Sequence, residues 1–144
     1  MRIINEVKRI VEEELLQPFI YATEYNINEQ VLNIADQLPC VAMVRQTGGQ
    51  FEHQNGIKDS CPCLIFFVGL APSGETDIKI AETVAAEKVF AKKFLRAVEK
   101  SSVIFSNGAD NYQDFFDRFD VFNATGVFLQ LTLKELAEDI ECPD

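Results

Sequence analysis

The chain has 144 residues, 47% of them hydrophobic and 25% charged, with 13 Lys and Arg against 23 Asp and Glu for a net charge of -10. That balance, with 12 Phe and 3 Tyr to build a core, describes one soluble globular domain and excludes a disordered acidic tail. It also argues against a general nucleic-acid binder, because duplex binding is driven by Lys and Arg that neutralise phosphates.

The longest apolar runs, Cys63 to Ala71 and Phe128 to Leu133, fall short of the ~20 residues a spanning helix needs, so no membrane segment is expected. The opening Met1-Arg2-Ile3-Ile4-Asn5-Glu6 shows no basic-then-apolar secretion signal, and the chain is expected to stay in the cell that makes it.

Ile3, Ile4, Val7, Ile10, Val11 and Leu15 recur three and four apart and predict an amphipathic helix that Pro18 ends. Phe19 to Ala22 reads as an extended connector or a small edge strand. Asn26 with Glu29 three positions on forms a capping-box pattern for a second helix, with Ile27, Val31, Ile34, Ala35 and Leu38 on one face and Pro39 as its stop. Cys40 to Arg45 and Leu64 to Leu70 read as strands, bounded by Thr47-Gly48-Gly49 and by Ala71-Pro72-Ser73-Gly74. Phe51 to Ile57 reads as a loop, part of a flexible arm around residues 47–60.

The longest helix opens near Thr76-Asp77 and runs to about Lys100, with Ile80, Val84, Ala91, Phe94, Leu95 and Val98 on its stripe. Val103 to Phe105 is a short strand before the turn pair Asn107-Gly108. In the aromatic stretch Tyr112 to Phe122, the spacing of Tyr112, Phe115, Phe116 and Phe119 suits a helical turn, and extended structure is expected from about Phe119. After the turn Asn123-Ala124-Thr125-Gly126, the alternation of Val127, Leu129, Leu131 and Leu133 is the cleanest strand signal in the chain.

Residues that carry chemistry are sparse. The four cysteines, Cys40, Cys61, Cys63 and Cys142, are expected to stay reduced; Cys61-Pro62-Cys63 lacks the two-residue gap and the second pair of a zinc knuckle, and two apart on a strand both thiols share one face, so they read as core packing. The single histidine, His53, sits in a polar loop. No phosphate loop, nucleophile elbow, zinc-protease helix or calcium loop occurs, and Asp114, Asp117 and Asp120 read as a solvated acidic face rather than a metal cluster. No cofactor, metal or catalytic residue is assigned, and the chain is not expected to be an enzyme.

Charge is instead separated along the sequence. The segment from Lys79 to Lys100 holds six cations against three acids, and the segment from Asp110 to Asp144 holds nine acids against two cations. Lys92, Lys93, Arg96 and Lys100 lie opposite the apolar stripe of the long helix. One reading is an ordinary solvated face. The other pairs these cations with Asp114, Asp117, Asp120, Glu138 and Asp139 of a neighbouring copy, giving head-to-tail association.

The order of elements closes on Asp120-Val121-Phe122-Asn123-Ala124-Thr125-Gly126-Val127-Phe128-Leu129-Gln130-Leu131-Thr132-Leu133. In that layout, over most of its length, the chain resembles the small tail-terminator, tail-completion and head-to-tail joining proteins of tailed bacteriophages. The resemblance implies an α+β fold, with helices on one face of a sheet, assembled into a ring at the neck or tail of the virion after synthesis in the bacterial cytoplasm. Its partners would be copies of itself and the adjacent neck or tail proteins, with DNA passing through the lumen and no sequence-specific contact. Fold expectation and resemblance together give one α+β domain over residues 1–144. Its mixed or antiparallel sheet has about four strands, with one long and two shorter helices on one face. Two alternatives stand beside this function: a cytosolic adaptor that binds a partner through the Phe-rich segment, and a small enzyme using Cys61 or Cys63 as thiolate nucleophile.

Overall fold

A computed structural model of the chain describes residues 2–46, 48–53, 56–71, 77–106, 110–116, 118, 119, 121 and 123–136. The first apolar stripe folds as its spacing dictates. Ile3, Ile4, Val7, Ile10 and Val11 are all buried on helix α1 (Arg2–Arg9) and on one π-helical turn that continues it over Ile10–Glu14, and Leu15, which caps that turn, is buried too. The Leu15 N–H bonds the Ile10 carbonyl at 3.0 Å, and the chain leaves the helix at exposed Leu16, whose φ is 56°. Glu6, also buried, is held by Arg9 at 2.8 and 2.9 Å and accepts from the Ser101 hydroxyl at 2.7 Å.

Phe19–Ala22 resolves as an edge strand, β1. Helix α2 (Ile27–Asn33) carries Ile27 and Val31 inward, but the capping box expected at Asn26 does not form. The Asn26 side-chain oxygen turns back and accepts from the Thr23 N–H at 2.9 Å and its hydroxyl at 3.1 Å, the local competition that short polar side chains offer to helix ends. A short 3₁₀ turn over Ala35–Gln37 leads to β2 (Cys40–Arg45).

Among the described residues the sheet has seven strands, not about four. Beyond β1 and β2 these are β3 (Gln50–Glu52), β4 (Lys58–Leu70), β5 (Ile104–Ser106), β6 (Asn111–Phe115) and β7 (Ala124–Glu135). The main order is β1-β2-β4-β7-β5, with β1 parallel to β2 and the other pairs antiparallel; β3 adds to β4 and β6 to β7. The mixed sheet is as expected, and the undercount has three sources. The connector proves to be a strand, part of the loop around residue 51 pairs back on β4, and the aromatic stretch inverts its expected structure.

That inversion follows from backbone satisfaction. Strand β5 covers only the end of β7, from Leu133 to Glu135, so the polar groups of Gly126 to Gln130 on that edge need partners. Asn111–Phe115 supplies them, from Asn111 opposite Gln130 to Phe115 opposite Gly126. The first half of the aromatic stretch, expected as a helical turn, is therefore extended, while residues 120 and 122 of the expected extended half lie outside the described residues. Phe119 (φ 68°) and Asn123 (φ 65°) adopt left-handed conformations that return the chain to β7.

Pro62 sits inside β4 without breaking it. Its carbonyl accepts from the Gln46 N–H at 3.0 Å just beyond the last paired residue of β2, so the missing donor falls where the neighbouring strand ends.

Two cores sandwich the sheet, so the helices do not share one face as expected. On one side α1 and the long helix α3 (Asp77–Lys100) pack over Met43, Cys61, Cys63, Ile65, Phe67 and the odd residues Val127 to Leu133. On the other, α2 and the returning segment cover Ala42, Val44, Phe66 and Val68. There Phe66 meets Phe115, Phe119 and Phe128 at centroid distances of 5.8, 5.0 and 4.9 Å, and the Arg118 guanidinium lies 5.1 Å over the Phe66 ring. The alternation of a strand buried on both faces sends each set of side chains to its own core.

Candidate functional site

The features left over from folding gather on α3 and the grooves beside it. Its buried residues are Val84, Glu87, Ala91, Phe94, Ala97 and Val98, so the helix turns one stripe to the sheet and its opposite face to solvent. Lys92, Lys93, Arg96 and Lys100 all stand on that exposed face. Among the described residues none of the four forms an ion pair; Lys93 lies 5.7 Å from the centroid of the Phe90 ring on its own helix. The run thus ends in uncompensated positive charge on a protein of net charge -10.

Of the expected acidic partners, Asp114 lies on β6 and pairs within its own chain with Lys88 at 3.5 Å, and Lys88 also stands 4.6 Å over the Tyr112 ring. Asp117, Asp120, Glu138 and Asp139 lie outside the described residues.

The residue that the sequence reading missed is Glu87. It occupies an apolar place in the run of positions 84, 87, 91, 94 and 98, and that spacing was the available signal. Glu87 is only 5% exposed, and among the described residues no hydrogen bond or ion pair reaches its carboxyl. Burial pushes its pKa up to about 7. Two glycines make the space: a Cβ on Gly69 would lie 2.6 Å from Glu87 Oε2, and one on Gly126 would lie 3.3 Å from its Cγ while falling onto the Phe67 carbonyl oxygen. Next to it the Cys40 thiol is pushed up to about 12, first by burial and then by the charge of Glu87.

Glu87 and Gly69 line a cleft of about 420 Å³ with Leu38, Pro39, Leu70, Lys79, Glu82, Thr83 and Ala86. A second groove of about 470 Å³ flanks the same half of α3 on its other side, where Ile80, Val84, Phe115 and Phe116 meet Asp77, Lys88 and Asp114. The grooves along the first half of the helix hold Asp77, Glu82, Glu87 and Asp114 together with Lys79 and Lys88, and the second half carries Lys92, Lys93, Arg96 and Lys100, with Glu99 and Asp110 in the groove beside Lys92 and Arg96.

Cys61 and Cys63 are buried under α1 and α3. The neighbouring Cys61 sulfur, then burial, holds the Cys63 thiol above its usual range, while the contact with Cys63 draws Cys61 below it. His53 is exposed beyond β3. Among the described residues no three His, Cys, Asp or Glu converge as metal ligands, and no described helix is long and apolar enough to cross a membrane. Neither a protein-family model nor a curated protein matches the chain.

Proposed function

We propose that the chain is a non-enzymatic structural subunit of a tailed-phage particle, joining copies of itself into a ring at the neck or tail through which DNA passes. One observation carries the reading: four exposed cations on α3 have no ion-pair partner among the described residues of a chain that is otherwise strongly acidic. Unlike surfaces on one subunit are what a closed ring requires, because a heterologous contact repeated by rotation closes on itself. An acidic lumen suits passing DNA, since like charge lets phosphates slide where a wall of Lys and Arg would hold them. The order of elements, with one long helix before the closing strands, is compatible with the layout on which the phage resemblance rests.

The alternatives draw less support. Phe115 and Phe119 of the Phe-rich segment pack inside, which takes them away from a partner, and Cys61 and Cys63 are covered by two helices. Electron microscopy of the phage particle that encodes the chain tests the proposal. Density for the chain in a ring at the neck or tail is expected, and its absence from both overturns the reading.

A further inference from the structure

Folding alone does not account for Glu87. An ionised carboxyl taken out of water without a partner is costly, and replacing such a group by an apolar one is often neutral or stabilising. Here the carboxyl is 5% exposed, unpartnered among the described residues, and accommodated by two glycines on adjacent strands.

Its cleft has a definite chemistry. Leu38, Pro39, Leu70 and Ala86 give aliphatic walls, Glu87 gives a carboxyl floor that a nearby cation would hold ionised, and the exposed residues Lys79 and Glu82 stand at the solvent side. The Cys40 thiol, from β2, is the further titratable neighbour. A cation on an aliphatic stem fits such a shape, because Lys and Arg lay their methylenes along apolar surface and carry charge at the tip. A bare metal ion fits it less well, since one carboxylate is not a ligand set.

The complementary group is on the same helix. Lys92, Lys93, Arg96 and Lys100 are exposed and, among the described residues, without ion pairs, and none of them lines the cleft of its own chain. We propose that the Glu87 cleft receives one of these lysine or arginine side chains from a second copy of the chain. The proposal rests on the head-to-tail association put forward above and names its anchor: the second half of one α3 docks on the first half of the next.

Two full-length variants separate the halves of the contact. Glu87→Gln removes the acceptor; a fourfold variant, Lys92→Ala with Lys93→Ala, Arg96→Ala and Lys100→Ala, removes the donors. By native mass spectrometry at low salt, each variant alone is expected to associate about tenfold or more weakly than the native chain. An equimolar mixture, with one partner isotope-labelled, is expected to recover heterodimers, since one copy keeps the cations and the other the cleft. Ala86→Phe fills the cleft and leaves the carboxyl in place, so it should show the same loss even if Glu87→Gln perturbs the fold. Native-like association of Glu87→Gln or Ala86→Phe, with the fourfold variant impaired, overturns the cleft and leaves the ring. A native chain that stays monomeric at every concentration overturns the association itself.

Discussion

Glu87 shows what one residue contributes against its surroundings. In the unfolded chain its carboxyl titrates near the ordinary 4.5, and in the folded chain near 7, because burial disfavours the charged form. Between those values the folded state holds the extra proton, so stability falls as pH rises through the window and is level on either side of it. Roughly 3 kcal/mol is lost by this route between pH 4.5 and 8. Glu87→Gln removes the dependence. Urea unfolding at pH 5 and pH 8 is expected to show the native chain losing most of that amount relative to the variant. Equal changes in the two proteins would mean that the carboxyl is ionised without penalty. The apolar spacing of the helix contained this residue, but its acidic identity hid it from a search for a hydrophobic stripe. The two glycines beside it are far away in sequence.

Among the elements, α1 is the most legible and its anchorage the least. All six apolar positions of the first stripe, on α1 and the turn that follows it, are buried as the spacing predicts, whereas the buried Glu6 pairs with Ser101, 95 residues away. The Ser101 hydroxyl also accepts from the N–H groups of Val103 and Ile104 at 3.0 and 3.2 Å, so one side chain ties α1 to the start of β5. Ser101→Ala leaves those groups without their partner and should cost about 1–2 kcal/mol in urea unfolding. A loss within a few tenths of zero would show that water replaces the hydroxyl. β6 teaches the converse lesson. Its local spacing suits a helical turn, but the open edge of β7 supplies hydrogen-bond partners that local periodicity does not register.

For the whole molecule the governing quantity is the placement of charge. The native chain carries -10, yet Lys92, Lys93, Arg96 and Lys100 cluster on the exposed face of one half of α3, without ion pairs among the described residues, while Glu82, Glu87 and Asp114 lie in the grooves beside the other half. Association through such surfaces is electrostatic at its rim and screened by salt. Raising NaCl from about 0.05 to 0.5 M shortens the Debye length to about 4 Å, and light scattering should show association weakened about tenfold. Salt-independent oligomers would point to an apolar interface instead.

Composition and periodicity alone determined the α+β class, the three helices, the strands at Cys40 to Arg45 and Leu64 to Leu70, the closing strand, and the cationic face of α3. These are local properties, written by which residues recur at a period of 3.6 or 2. Tertiary structure decided that the sheet has seven strands, that helices cover both of its faces, and that the aromatic stretch closes the second core. It also decided that Glu87 lies buried at the floor of a cleft, unpaired among the described residues. Each of these depends on which backbone edges remain open and which side chains meet across many tens of residues, and no window of the sequence contains both partners.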